Sequence, residues 1–282
     1  MLGKLLKYDI KALWKMMLPL ILSVLGTSVV GTIALRVIVE MSNSPVNHSN
    51  SMNNPFSGLF MLSLGMLVFV AVMALIAFDV IATVFILYRY YKNLFTDEGY
   101  LTFTLPVTTD QILLSKIING VLWSVISLIV TIIGGGLIVV LGSGVSWGRI
   151  ANELIDEIQN ILHYMGLNGV LVTVETILSG IFALIYSLLL CYLSITIGST
   201  VARRHKVLAS IGIFFGIQFA LSIATSFVSF IPTLYMASAV STTAASWTVH
   251  LTAVINLAIQ AAVAVGSYFI CRAILTRRLN LS

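Results

Sequence analysis

Three ionisable side chains stand inside or at the edge of long apolar runs: Arg36, Asp79 and Glu175. A charge at the centre of a bilayer costs roughly 2.5–3.5 kcal/mol on insertion scales, so a residue of this kind needs a partner or a task. The chemistries open to them are ion pairing, contact with an ion or substrate, and gating. Glu175 continues a stripe of Ser179, Ala183, Ser187 and Cys191 at four-residue spacing, which turns it towards protein rather than lipid. Arg36 is its expected ion-pair partner; a substrate or gating contact and snorkelling to the outer interface are the alternatives. Asp79 lies more than two turns before Arg89, too far for a pair along one helix. A structural contact with another helix or a polar cavity is expected for it ahead of a proton relay. Gln218, Asn256 and Gln260 are expected to hydrogen-bond across helices.

Other catalytic chemistry has no signature. The sequence holds no His-Glu-x-x-His, no Gly-x-Ser-x-Gly and no Cys/His cluster at metal spacing, and His48, His163, His205 and His250 are scattered. No catalytic residue and no metal ligand is assigned, and the chain is not expected to be an enzyme. Cys191 and Cys271 both fall in apolar runs and are read as small packing residues rather than a disulfide.

The elements that hold these residues belong to a membrane. A chain of 282 residues that is 59% hydrophobic and 9% charged, with a mean hydropathy of +1.06, cannot keep a soluble surface wetted. Six runs are long enough to cross the ~30 Å hydrocarbon core as helices, over 16–39, 58–88, 117–141, 169–200, 207–235 and 249–271. The expected fold class is therefore an all-α polytopic membrane protein with six transmembrane helices in one domain. Of fifteen Lys and Arg, all but Arg36 and Arg149 fall on one side under this reading: Lys4, Lys7, Lys11, Lys15, Arg89, Lys92, Lys116, Arg203, Arg204, Lys206, Arg272, Arg277 and Arg278. That side is cytoplasmic by the positive-inside rule, which puts both termini inside. The net charge of +5 then reflects topology and anionic lipid, and no nucleic-acid partner is expected. A secretory signal is not expected, because the first run is too long for a signal-peptide core and no convincing small-residue cleavage site follows it.

Two segments on that side stand out. In "MLGKLLKYDIKALWKMM", Leu2, Leu5, Leu6, Ile10, Leu13, Trp14 and Met17 recur at helical spacing opposite Lys4, Lys7, Lys11 and Lys15. Residues 1–15 are expected as an amphipathic helix in the inner interface, anchoring the first span, bracing a cytoplasmic partner, or both. Between spans two and three, Thr96 can cap a short helix with Asp97 and Glu98 in its first turn, and Leu105-Pro106 ends it. Thr108 and Gln111 then stand at capping-box spacing ahead of the third span. Leu94, Phe95, Tyr100, Leu101 and Phe103 beside these acids read as apolar knobs of a docking surface, with an ordinary capped hairpin as the alternative.

An amphipathic N-terminal helix, six spans, both ends inside and the segment "FTDEGYLTFTLPVT" together resemble the permease subunits of ABC-2-type, type V-like exporters. The resemblance covers the whole topology and is most specific in that segment. It implies that 1–15 is the connecting helix and 96–105 the coupling helix, with Thr96, Asp97, Glu98, Tyr100, Leu101 and Phe103 docking on an ATPase. There is no Gly-x-x-x-x-Gly-Lys-Ser/Thr loop, so two separate ATPase subunits would bind the ATP and Mg²⁺, and this chain would bind no cofactor. A second permease copy or homologue and membrane lipids complete the implied partners, in a bacterial plasma membrane. The chain is also similar to permeases that export amphipathic peptides, such as phenol-soluble modulin exporters, and to those conferring resistance to antimicrobial peptides; peptide export is the leading expectation, with drugs and lipids as alternatives. The competing classes are an ion-coupled secondary transporter using Asp79 or Glu175, and a non-transporting membrane scaffold.

Packing signals complete the reading. Gly212, Gly216, Ala220 and Ala224 form a small-residue stripe that is expected to pack within the subunit ahead of a dimer seam; Ser23, Thr27 and Gly31 form a weaker one. No Asp, Glu, Lys or Arg occurs between Lys206 and Arg272, and residues 232–247 resemble the re-entrant outer segment of the same exporters. A short outer helix is expected where Ile150, Leu154, Ile158, Ile161, Leu162 and Met165 recur opposite Glu153, Asp156, Glu157 and Asn160.

Overall fold

The computed structural model describes residues 2–43, 55–96, 99, 107–165, 167–202, 204–238 and 242–279. Their regular structure is helical throughout, in the order α1 (Leu2–Asn43), α2 (Pro55–Phe95), α3 (Thr109–Gly136, continued by a π-helical turn over Leu137–Gly142), α4 (Trp147–Met165), α5 (Leu167–Val201), α6 (Lys206–Ser238) and α7 (Thr242–Leu279). Among the described residues, six stretches are long and apolar enough to cross a membrane: Gly3–Asn43, Phe56–Phe95, Thr109–Gly142, Thr173–Val201, Lys206–Val228 and His250–Arg277. These are the length and composition of a multi-pass membrane protein. Phe56, Leu62 and Met66 on α2 and Phe219 and Phe227 on α6 lie exposed, as side chains that face lipid do.

The helices are longer than the apolar runs. A 42-residue α1 is about 63 Å long, twice the roughly 30 Å of hydrocarbon. Residues 2–15 are its first turns, continuous with the first span, and do not form a helix of their own. The reason is local: no glycine interrupts Lys4 to Leu25, and Pro19, which gives no N–H to the Lys15 carbonyl, is carried inside the helix. Residues 232–238 likewise continue α6 and residues 242–247 open α7, so 232–247 is helical wherever it is described and adds turns to two long helices.

Contacts divide the chain into two compact units. One consists of Ile10–Ile86 and Leu122–Glu157. Its core is Val24 of α1, Ala71, Leu75 and Phe78 of α2, Val130 of α3 and Ile138 in the π-helical turn. Glycine sets how closely these helices approach. A Cβ on Gly31 would lie 2.5 Å from the Cβ of Ala71, and one on Gly142 would lie 2.8 Å from Leu35 Cδ2. Of the weaker stripe, Gly31 is thus the residue in tight contact, while Ser23 is exposed. Gly144, at φ +74°, turns the chain out of α3 beneath the Arg36 guanidinium. Trp14 and Trp123 meet at 6.0 Å between ring centroids.

The other unit consists of Met1–Asp9, Leu87–Val121 and Ile158–Ser282. Here α5 packs on α6 and α7, and α6 on α7. Leu188, Leu189, Leu190 and Leu193 of α5 and Ala264, Cys271 and Leu275 of α7 are buried. Gly198 lets the start of α6 close on α5, since a Cβ there would fall 2.6 Å from the Ser210 backbone nitrogen. The stripe Gly212, Gly216, Ala220 and Ala224 lies exposed instead of packing within the chain, with open space around Gly212 and Gly216. Spacing could not foresee this, because the same small residues suit any close neighbour.

Gly31 and Gly212 give a paired expectation. Gly31→Ala sets two Cβ atoms against each other on α1 and α2 and should cost about 1–3 kcal/mol, read as a lower thermal midpoint in detergent. Gly212→Ala, which meets nothing, should leave the midpoint of the isolated chain unchanged or slightly higher.

Candidate functional site

A lone carboxylate on the apolar face of α1 organises the ends of α2 and α3. Asp9 lies four residues before Leu13 and eight before Met17, and all three are buried. Lys116, in the second turn of α3, gives its ammonium to both carboxylate oxygens, at 2.7 Å to Oδ1 and 2.6 Å to Oδ2. Both side chains are 6% exposed, so each ion has lost nearly all its water, a cost of several kcal/mol per ion unless the geometry repays it. Asn93 Nδ2 adds a hydrogen bond to Oδ1 at 3.3 Å, and Arg89 Nη2 stands 3.9 Å from the same oxygen. Arg89 and Asn93 occupy successive turns of α2 just before its end at Phe95.

Aromatic packing secures the same ends to α5. Tyr90 stacks on Tyr192 with centroids 3.9 Å apart and planes 9° from parallel, and both rings are buried. The Thr196 hydroxyl donates to the Tyr192 carbonyl at 2.7 Å, which commits its hydrogen. Tyr90 O–H is therefore the donor in its 2.8 Å bond to Thr196, and the Cys271 thiol donates to the same oxygen at 3.7 Å. Tyr192 O–H in turn donates to the Lys116 carbonyl at 3.1 Å. Gly120 makes room for it, since a Cβ there would lie 2.6 Å from the Tyr192 oxygen. The two cysteines are free, as their places in the apolar runs predict.

The start of α3 is held by α7. Thr108 caps the helix as its spacing predicts, its Oγ1 accepting from the Gln111 N–H at 3.4 Å. Asp110, in the first turn, pairs with Arg272 at 2.7 Å and accepts from Tyr268 O–H at 3.2 Å. Both ends of the 96–108 connection are thereby tied to the rest of the unit, one through Asp9 and Tyr192, the other through Lys116 and Arg272. These contacts fix the positions of two helix ends.

Of the expected docking residues, Thr96 closes α2, its hydroxyl donating to the Lys92 carbonyl at 2.5 Å, and its own carbonyl accepts from Gly99 N–H at 2.8 Å. Asp97, Glu98, Tyr100, Leu101 and Phe103 lie outside the described residues. Leu94 and Phe95 are corrections: they are buried, with Phe95 against Tyr90 and Tyr91, and are not free to dock.

The intramembrane candidates are distributed differently from expectation. Glu175 pairs with His250 of α7 at 3.0 Å, and Arg36 pairs with Glu40, one turn along its own helix, at 2.7 Å. The expected Arg36–Glu175 pair is not among the ion pairs of the described residues; each residue has a partner within its own unit. Asp79 meets another helix, accepting from Thr131 of α3 at 3.0 Å. Gln218 accepts from Tyr186 across α5 and α6 at 3.3 Å, whereas Asn256 donates to Thr252 on its own helix. The amphipathic helix predicted after the third span is present as α4, with Leu154, Ile155 and Ile158 exposed.

Sequence reading missed Asp9 and His250. The signal for the first was an acid on the apolar stripe of residues 1–17, whose other charges are all lysines. For the second it was the one histidine in a 65-residue stretch, 207–271, without Asp, Glu, Lys or Arg. Comparison with known proteins finds no matching family model, no similar curated protein and no similar solved structure.

Removing one partner of the buried pair should be worse than removing both. Asp9→Leu or Lys116→Met alone strands a charge and should destabilise by about 3–5 kcal/mol, whereas the double variant should recover most of that loss. Thermal unfolding of the four proteins in detergent completes the cycle.

Proposed function

We propose that the chain is the permease subunit of an ATP-driven exporter that moves an amphipathic substrate, a peptide toxin or antimicrobial peptide, out across a bacterial plasma membrane. The observation that best supports this reading is the anchoring of both ends of the 96–108 connection by buried and charged contacts to α1, α5 and α7. A segment pushed by a motor must hand its displacement to the spans, and stiff contacts at its two ends do so without loss in a floppy joint.

In this scheme residues 96–105 form the coupling helix, and Thr96, Asp97, Glu98, Tyr100, Leu101 and Phe103 dock on a separate ATPase that binds ATP and Mg²⁺. Two such ATPases serve two permeases. The basic residues put both termini in the cytoplasm. The first turns of α1 serve as the connecting helix, its lysines facing the inner surface and Asp9 holding it to the coupling segment. The exposed stripe Gly212, Gly216, Ala220 and Ala224 suits close approach of the second permease copy or a homologue. On the outer side the amphipathic α4 lies in the membrane interface. Ten Met and fourteen Phe in a chain with few charges suit amphipathic cargo.

Purification of the tagged chain in mild detergent, after co-expression with its genomic neighbours, tests the reading. A Walker-motif ATPase should co-purify and be lost on Tyr100→Ala with Phe103→Ala. If that variant inserts normally and keeps ATPase binding and turnover, the docking role of the segment is wrong. Should the chain purify alone and carry substrate on an ion gradient in a manner sensitive to Asp79→Asn or Glu175→Gln, it is a carrier instead.

A further inference from the structure

Where α5 turns into α6, the chain leaves a cleft of about 590 Å³, lined by Arg204, His205, Lys206, Val207, Leu208 and Ile211 together with Tyr91 of α2. This lies within the roughly 300–1,000 Å³ of ordinary small-molecule sites. Its polar lining consists of hydrogen-bond donors: a guanidinium, an ammonium, an imidazole and a phenol. Among the described residues no Asp or Glu lines it, and neither Arg204 nor Lys206 is ion-paired. Among those residues the lining therefore carries two permanent positive charges with no compensating acid, and guanidinium with ammonium is the donor set suited to a phosphate group.

The remaining lining is aliphatic. Val207, Leu208 and Ile211 are 60%, 70% and 49% exposed and belong to the first turns of α6. The span they begin, Lys206–Val228, is uncharged beyond Lys206. Cations at the mouth and exposed hydrocarbon along the adjoining helix match a molecule with a phosphate at one end and an acyl chain at the other. Lys206 is the first residue of that candidate span, and Tyr91 supplies an amphipathic ring of the kind common at a membrane boundary.

We propose that this cleft is a binding site for one anionic glycerophospholipid, its phosphate held by Arg204 and Lys206 and its acyl chain laid along Val207, Leu208 and Ile211. Free phosphate shares the headgroup chemistry, but it would leave the aliphatic wall unused. The site requires the chain to lie in a membrane and does not depend on what the chain transports.

Native mass spectrometry of the full chain in neutral detergent, titrated with phosphatidylglycerol and with phosphatidylcholine of the same acyl length, tests this. Phosphatidylglycerol should be retained preferentially. Arg204→Gln with Lys206→Gln should weaken its binding roughly 30-fold, each basic group near an anionic surface contributing about fivefold. Lys11→Gln with Lys15→Gln removes the same charge from exposed positions elsewhere and should change nothing. The conservative exchange Arg204→Lys should keep most of the binding, which separates a local ligand site from a folding defect. Equal retention of the two lipids, or equal loss in both double variants, would overturn the site in favour of diffuse attraction. Displacement of the lipid by millimolar inorganic phosphate would make it a free-phosphate site instead.

Discussion

A carboxylate with no water must have a cation, and much of one unit follows from that requirement at Asp9. Its side chain lies on the stripe that α1 buries, so the helix can dock only where a positive charge already waits. Lys116 provides it from α3, and Asn93 and Arg89 complete the shell from α2. Three helix ends are therefore specified together by one ion. Replacing an ion pair with hydrocarbon commonly leaves a protein as stable or more so, which makes register a better account of Asp9 than stability. An apolar contact would tolerate a helix slid by one turn, whereas a carboxylate bound at 2.6–2.7 Å does not.

The tyrosine pair extends the same logic to α5. Each hydroxyl in the chain from Tyr90 through Thr196 to Tyr192 and the Lys116 carbonyl has a place only if its neighbour is correctly turned. Gly120 and Gly198 supply the close approaches that such short reach demands. In the other unit the corresponding constraint is steric, set by Gly31 against Ala71, with a polar link from Asp79 to Thr131.

What the sequence makes legible is what depends on a residue's own run. The six spans, the Thr108 cap and the amphipathic α4 follow from hydropathy, local hydrogen bonding and period, and the helices appear where those rules put them. Pairings are another matter. Glu175 has Arg36 as its expected partner from the sequence, and only the packing of α5 on α7 brings His250 to it. The helix ends also ran past the hydropathy signal, because backbone hydrogen bonding continues until something breaks it. Leu94 and Phe95 are buried although the sequence suggests surface knobs, since an apolar residue near an acid looks the same from the sequence whether it faces a partner or its own core.

The order of synthesis gives the Asp9–Lys116 pair a further meaning. The two residues are 107 positions apart, and α1 with all of α2 is synthesised before the lysine exists. At about 5–20 residues per second, the acid waits roughly 5–20 s for its counter-ion. During that interval the buried face of α1 carries an uncompensated charge and has reason to stay at the water boundary. The first turns of the first helix are consequently among the last parts able to settle, and their docking marks the moment at which the third helix has arrived in its place.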